Sequence, residues 1–339
     1  MSDSIKTQNN IIVGSEIIIS RNLDSIVFPF KLGINQGREL SENISKTFMK
    51  NEKYKFKKVN LWQESKEDIG LYIEQGVVSS SLFKNKNISS FVISEDKHLI
   101  IMINGENHIT VRLRADEAKF KELYEEAKYI MDFIEQNFDI AFHEKFGYLN
   151  SSINNLGTAF RVSSVIHLPI LNRKRSINQL NDELNQVGLC LEDIYVNENI
   201  GISNLYRVYN KVTIGVREEE ILNDIEAITY QLVMKEKNVR KKFLETDREE
   251  LEDKIFRAEA ILSNARKITF RESLDLLSMI RLGVEMDMIN NLSISDLNSL
   301  CILIQQNNIY KIVGQKLTEN EEKIKRAWIL RKTLGKSEI

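Results

Sequence analysis

The chain has 339 residues, with 47 Lys plus Arg against 49 Asp plus Glu, a net charge of −2, and 42% hydrophobic and 28% charged residues. A balance so near neutrality excludes an overall basic field of the kind that holds nucleic acid or an anionic membrane surface. Two prolines, Pro29 and Pro169, and 14 glycines in the whole chain exclude a collagen-like or Pro-rich disordered protein. The length allows about two domains with cores of their own. Cys190 and Cys301 lie far apart, which leaves no CxxC pair, no zinc-ligand spacing and no disulfide framework. No metal site is expected. The N-terminal residues lack a basic start followed by an apolar core, and no run approaches the roughly 20 apolar residues of a membrane span. A cytoplasmic protein in a reducing compartment is the expectation.

Residues 11–19 are apolar and β-branched and predict a strand ending at Ser20-Arg21-Asn22-Leu23, with Phe28-Pro29-Phe30 marking a turn or edge. A helix is predicted over about 39–50. Phe91-Val92-Ile93, Leu99 to Ile103 and Ile109 to Leu113 read as an antiparallel meander whose second turn is Asn104-Gly105-Glu106-Asn107-His108. Over 117–140 the period changes: Phe120, Leu123, Ala127, Ile130, Ile134 and Phe138 set one apolar stripe on a long helix. Strand signals return at 162–168, 187–196 and 205–214, with a helix over about 176–184 between the first two.

After Gly215 the pattern is helical throughout. Ile221, Ile225, Ile228 and Leu232 set a face that runs into the mixed-sign charge run 235–252, which reads as a solvated helix between domains. Helical patterns continue through 251–262, 270–280, 295–305 and 321–334. The fold class expected is α+β, with one domain over 1–235 and a helical domain over 236–339.

Several segments carry a family pattern. Phe146 to Pro169, which contains Asn155-Leu156-Gly157-Thr158-Ala159-Phe160-Arg161, follows GYLTxCPTNxGTGxRASVxxHLPxL. Asn104 to His108 follows NEEDH, and Tyr206 to Gly215 follows YQISNQxTLG. With Ser20 to Leu23, Ala260 to Arg266 and Ser278 to Val284, these segments make nearly the whole chain resemble the bacterial protein-arginine kinases, relatives of the creatine and arginine phosphagen kinases. The resemblance implies a phosphagen-kinase-like antiparallel sheet flanked by helices, then an all-helical domain. It also implies transfer of the γ-phosphoryl group of ATP, with Mg, to a guanidinium nitrogen of a protein arginine. In such kinases five arginines hold the triphosphate, and two glutamates orient the guanidinium and take its proton.

Most of those positions are changed. Glu16 and Ile18 stand where SSRIRLARNL carries its two nucleotide arginines, and Thr110 stands where an arginine follows NEEDH. Gly105 replaces the first glutamate of NEEDH, Ser152 the cysteine of CPTN, and Gly76 the histidine of EKHLIS. A gap-free alignment back from Gly215 sets Glu192 at the arginine of RGxYGE and Asn197 at its glutamate, with Glu198 one residue on. Arg161 keeps the arginine of GTGxRAS. Glu106 keeps the second glutamate of NEEDH, the carboxylate that by resemblance meets the substrate guanidinium. Where the family supplies about five positive charges, Arg161, Glu16 and Glu192 sum to −1. One carboxylate about 4 Å from a phosphate oxygen costs roughly 4 kcal/mol at an effective dielectric near 20. In the last helix RDxxRA has become Glu322-Lys323-Ile324-Lys325-Arg326-Ala327, which leaves Arg326 as the remnant of a phosphoarginine pocket.

The expectation is a catalytically impaired or inactive homologue, a pseudokinase, that acts by protein binding. By resemblance its partners are proteins of the arginine-phosphorylation stress response: an active paralogue, a zinc-binding activator, a repressor or a Clp ATPase. Homo- and hetero-dimers are both compatible with this. The alternative is an active ATP-dependent protein-arginine kinase whose nucleotide site is rebuilt from Arg112, Arg114 or Arg207; only then are ATP and Mg its cofactors. His108 and His167 are expected to be hydrogen-bonded structural residues. Arg161 is either an anion anchor or the ion-pair partner of Glu16 or Glu192.

Overall fold

The computed structural model describes residues 10–174, 176–197 and 200–335. The strands are β1 (Ile12–Arg21), β2 (Phe56–Asn60), β3 (Ser90–Ser94), β4 (Leu99–Ile103), β5 (Ile109–Ala115), β6 (Phe142–His143), β7 (Gly147–Tyr148), β8 (Phe160–His167), β9 (Leu189–Asp193), β10 (Val196–Asn197), β11 (Ile200–Gly201) and β12 (Leu205–Asn210). Eight of them form one antiparallel sheet in the order β2-β3-β4-β5-β1-β8-β12-β9, while β6–β7 and β10–β11 are small hairpins. The helices are α1 (Ile34–Met49), α2 (Lys66–Glu74), α3 (Ser80–Lys84), α4 (Phe120–Asn137), α5 (Pro169–Arg173), α6 (Ile177–Gln186), α7 (Glu218–Thr246), α8 (Arg248–Asn264), α9 (Phe270–Glu285), α10 (Ile294–Leu303), α11 (Gln306–Val313) and α12 (Glu319–Leu334). This is the expected α+β architecture, a flanked antiparallel sheet followed by helices. No helix among the described residues is long and apolar enough to cross a membrane.

Strand periodicity divides the sheet into two unlike faces. Ile17 and Ile19 of β1, with Ile109, Val111 and Leu113 of β5, are buried under α1, α4, α6 and the first half of α7. The intervening residues point the other way. Register sets Ile18 opposite both Arg112 and Arg161, Glu16 opposite Arg114 and Ser163, and Ser20 opposite Thr110. At one end this open face is covered by α2 and α3, where Ile69, Val77, Val78 and Leu82 pack on Phe91, Ile100 and Met102. Both faces of β4 are therefore dry, which explains why it reads as an unbroken apolar run.

Some boundaries differ from the sequence reading. The first long helix starts at Ile34 rather than near residue 39. The strand expected to run to 214 stops at Asn210, whose side chain takes over the next backbone groups: Oδ1 accepts from Val162 N at 2.8 Å, and Nδ2 donates to the Phe160 and Val212 carbonyls.

α7 passes through residue 235 without a break. It gives Ile221, Ile225 and Leu232 to the sheet core and Phe243 to a second core, built from residues such as Ile255, Leu262, Ile280, Leu300, Ile309 and Leu330 of α8–α12. The solvated reading of 235–252 is corrected at its start, because Glu236 and Arg240 are buried. Arg240 pairs with Glu236 at 2.8 Å and with Glu285 at 2.9 Å, and Glu236 also accepts the backbone N–H groups of Ile170 and Leu171 at the start of α5. Glu285 further receives Arg281 Nε at 2.9 Å and His167 Nδ1–H at 2.8 Å, while His167 Nε2 faces the Ser278 hydroxyl at 2.9 Å. A mixed-sign pattern looks the same in sequence whether water or other charges satisfy it.

This network makes stability depend on pH. Burial pushes the His167 imidazole down to about 4 despite Glu285 beside it. Burial alone would raise the Glu285 carboxyl, but His167, Arg240 and Arg281 outweigh it and hold it down at about 2. Both folded values lie below the ordinary 6.5 and 4.5. The unfolded chain therefore takes up protons that the folded chain refuses, and stability falls as pH drops, first through His167 below 6.5 and then through Glu285 below 4.5. Urea midpoints measured from pH 7 to 4 should decline, with a His167 share of roughly 3 kcal/mol. His167→Gln should flatten that decline, even if it lowers stability at pH 7.

Candidate functional site on the open sheet face

A cavity of about 280 Å³ opens between β1, β5 and β8, under the Asn104–His108 turn and beside the 79–82 and 152–155 segments. Six positions singled out in the sequence meet there: Ile18, Gly105, Glu106, Thr110, Ser152 and Arg161. Two more adjoin it. Gly76 presents its carbonyl to Arg112, and Glu16 lies beside the same arginine. Glu192 is not part of the cavity; it is exposed on β9, opposite Arg207, with the Tyr209 hydroxyl 3.3 Å from its carboxylate. Asn197 falls on the β10–β11 hairpin, and Glu198 lies outside the described residues.

The Asn104–His108 turn is held from several sides. Asn104 takes a left-handed backbone (φ 57°), and its Nδ2 donates to the carbonyls of Gly37 and Ile88 at 2.8 and 3.1 Å. Asn22 grips the other end: Nδ2 donates to Asn107 Oδ1 at 2.7 Å, and Oδ1 accepts from His108 N at 2.9 Å. His108 Nδ1 accepts from Leu23 N, and its Nε2 donates to the Val27 carbonyl, both at 3.1 Å. Burial pushes this imidazole down to about 4, so it is a neutral structural residue at pH 7, as is His167. The Ser20–Leu23 motif thus serves the turn, and the turn holds the exposed Glu106 over the cavity.

The cations are distributed otherwise than the sequence reading anticipated. Glu16 pairs with Arg112 rather than with Arg161: Arg112 Nε stands 3.1 Å from Glu16 Oε2, as a charge contact whose N–H is not aimed at the oxygen. Register alone does not separate the two arginines, since Ile18 lies opposite both and Glu16 faces Arg114 and Ser163; the Glu16–Arg112 contact is a diagonal one between β1 and β5. Arg112 Nη1 also donates to the Gly76 carbonyl at 2.9 Å. Arg161 donates Nε to Asn155 Oδ1 at 2.9 Å, faces the Tyr209 ring, and makes no ion pair among the described residues. The charge sum of −1 is corrected accordingly. Glu192 drops out and Arg112 enters, which turns that sum from −1 to +1; with Glu106 also counted, Arg112 and Arg161 are set against Glu16 and Glu106, and the local charge cancels.

Sequence reasoning named Arg112 only as a reserve cation, gave Asn155 only as part of the 155–158 turn, and overlooked the hydroxyls of Ser79 and Ser81, all of which line the cavity. The signal for Arg112 was present, since Thr110, Arg112 and Arg114 alternate with the buried Ile109, Val111 and Leu113. Arg326 belongs to a separate cavity of about 590 Å³ between the helical region and Ile194, Tyr195 and Ile202 of the first domain. There its Nε donates to the Ile304 carbonyl at 2.8 Å and Nη2 lies 3.8 Å from Glu322. Glu322 is itself occupied by Gln306 Nε2 at 2.7 Å and by the Tyr310 hydroxyl.

Fold and site together define a guanidino phosphotransferase scaffold. The model of the ATP:guanido phosphotransferase C-terminal catalytic domain matches residues 39–239, and that of the protein-arginine kinase McsB C-terminal domain matches 248–338. A curated protein-arginine kinase of Clostridium tetani is 38% identical over 329 residues, covering 97% of this chain and 96% of that protein. One from Clostridium novyi is 35% identical over 332 residues (97% and 96%), and one from Bacillus pumilus 32% over 332 residues (96% and 91%). Among solved structures, a lombricine kinase superposes with a TM-score of 0.60 at 15% identity, covering 70% of this chain and 68% of that one. The duplicated taurocyamine kinase of Schistosoma mansoni, solved with transition-state-analogue components, gives 0.60 at 17% identity, covering 78% and 38%. These two similarities concern the fold alone. The chain belongs to the protein-arginine kinase family.

The Glu16–Arg112 contact generates a direct test. Glu16→Gln removes one of the two carboxylates at the cavity and releases Arg112 from its charge partner. Affinity for inorganic tripolyphosphate, measured by calorimetry in low salt, should rise about tenfold, the equivalent of roughly 1.4 kcal/mol.

Proposed function

We propose that this chain is a phosphoryl-transfer-impaired member of its family that acts by binding proteins of the arginine-phosphorylation system, such as an active kinase paralogue, a zinc-binding activator, a repressor or a Clp ATPase. One observation carries the reading: at the cavity, Glu16 stands 3.1 Å from Arg112, and the cationic and anionic side chains cancel. A Mg-bound triphosphate is held by cations that neutralise close to four negative charges. The residues present do not fit that group, because Arg161 is the one cation lining the cavity that has no carboxylate partner among the described residues. Glu106 alone could meet a guanidinium here, so the paired-carboxylate arrangement is also incomplete.

A second reading, an active ATP-dependent protein-arginine kinase with a rebuilt nucleotide site, draws on a different observation. Arg112, Arg114, Arg161 and Arg207 all fall on the open face by strand register. Against it, Arg112 is engaged as described, and Arg114 donates to the backbone carbonyls of Lys97, Gln75 and Gly76.

Calorimetric titration with Mg-ATP decides between the two. We expect no dissociation constant tighter than about millimolar, worth roughly 4 kcal/mol, and no phosphoarginine formed on a general protein substrate. Any residual phosphate-dependent thermal shift should vanish in Arg161→Ala with the unliganded melting temperature unchanged. A micromolar constant for ATP would overturn the proposal in favour of the active kinase.

A further inference from the structure

We propose that Glu74 is a positioning residue, a latch through which the helical domain keeps the cavity in a state of low anion affinity. It ends α2, and both of its carboxylate oxygens are filled by the first residues of α11. Oε1 accepts from Asn307 N and Nδ2 at 2.8 and 2.7 Å, and Oε2 accepts from Asn308 N and Nδ2 at 2.9 and 2.8 Å. A helix N-terminus has unpaired N–H groups and the positive end of the helix dipole, so an anion is well placed there. Here the anion is the chain's own. Gln305 Nε2 reinforces the joint by donating to the Glu74 carbonyl at 3.2 Å, and Lys316 pairs with Glu67 at 2.6 Å. The surfaces meet closely, because a Cβ placed on Gly70 would come within 2.6 Å of Asn307 Nδ2.

The next two residues contact arginines of the sheet, one of which, Arg112, lines the cavity. Gly76, in the left-handed region at φ 66°, turns its carbonyl to Arg112 Nη1 at 2.9 Å and Arg114 Nη1 at 3.3 Å, and Gln75 offers its carbonyl to Arg114 at 3.4 Å. Three consecutive residues thus tie α11 on one side to two arginines of the sheet on the other. An anion entering the cavity competes with the Gly76 carbonyl for Arg112. The latch holds that carbonyl in place and so opposes the anion. Linkage makes the effect reciprocal: anion binding weakens the docking of α2 on α11, and a partner that draws Glu74 off α11 strengthens anion binding. The inference uses the cavity assigned above, but it concerns a ratio of affinities and does not depend on whether catalysis survives.

The test compares the full-length protein with Glu74→Gln and, separately, with Asn307→Ala, which acts from the helical side and does not line the cavity. Inorganic tripolyphosphate is titrated to 20-fold above the wild-type constant, or to about 20 mM, and amide hydrogen exchange is followed at 70–78 and 305–309. Both variants should bind tripolyphosphate roughly tenfold more tightly than wild type, within the range of ordinary coupling energies. In the wild type, saturating tripolyphosphate should speed exchange in both segments. A purely structural role for Glu74 would leave affinity the same or lower. Unchanged or weaker binding in a folded variant, undetectable binding in all three proteins, or exchange at 305–309 indifferent to tripolyphosphate would each overturn the proposal. A micromolar wild-type constant for ATP would defeat the functional reading above, yet the ratio between variant and wild type would still decide this one.

Discussion

Arg112 is a single cation with two internal partners, and the character of the site follows from how it is shared. Its position is set by strand alternation: β1 and β5 bury every second side chain against the helices, which forces the remaining residues onto the open face. On that face Glu16 and the Gly76 carbonyl both claim it. The carbonyl accepts one N–H and the carboxylate offsets the charge of a guanidinium that would otherwise be costly to enclose. Each also competes with any incoming anion. The cavity is consequently well built and poorly charged.

The two halves of the site owe their form to different forces. Around Glu106 the turn is rigid because neutral groups fix it: the amides of Asn22, Asn104 and Asn107 and the imidazole of His108 are paired with backbone or with one another. Such pairing does not depend on ligand charge, so it persists although most arginines of the family pattern are gone. Around Arg112 the arrangement is electrostatic, and replacing one arginine by Glu16 reverses a local sign. Retained geometry and lost charge are therefore compatible in one chain.

What could be read from sequence follows the same division. The apolar stripe Phe120, Leu123, Ala127, Ile130 and Ile134 and the 91–113 meander were legible because their periods belong to single elements. The convergence of Ile18, Glu106, Thr110 and Arg161 was legible only through resemblance, since those residues lie on three separate segments of the chain. The Glu16–Arg112 pair depends on cross-strand register, and the burial of Glu236 and Arg240 depends on Glu285 arriving from α9. No local pattern carries such information. The joint at Glu74 was illegible for the same reason, as it matches a carboxylate to N–H groups more than 230 residues away.

The sheet and the helical region meet at two joints that differ in what opening them requires. At the first, His167, Glu236, Arg240, Arg281 and Glu285 are all buried, and parting Arg240 from Glu285 breaks an ion pair in a dry interior at a cost of about 3–5 kcal/mol. At the second, Asn308 is buried but Glu74 and Asn307 are half-buried and flanked by exposed lysines, so water can take over the Asn307 bonds as the partners separate. An unmade hydrogen bond in reach of solvent costs far less than one in the interior. The buried joint therefore resists opening more than the contact of α2 with α11 does. That places the compliant joint two residues from the carbonyl that occupies Arg112, where a small displacement alters the charge available to the cavity.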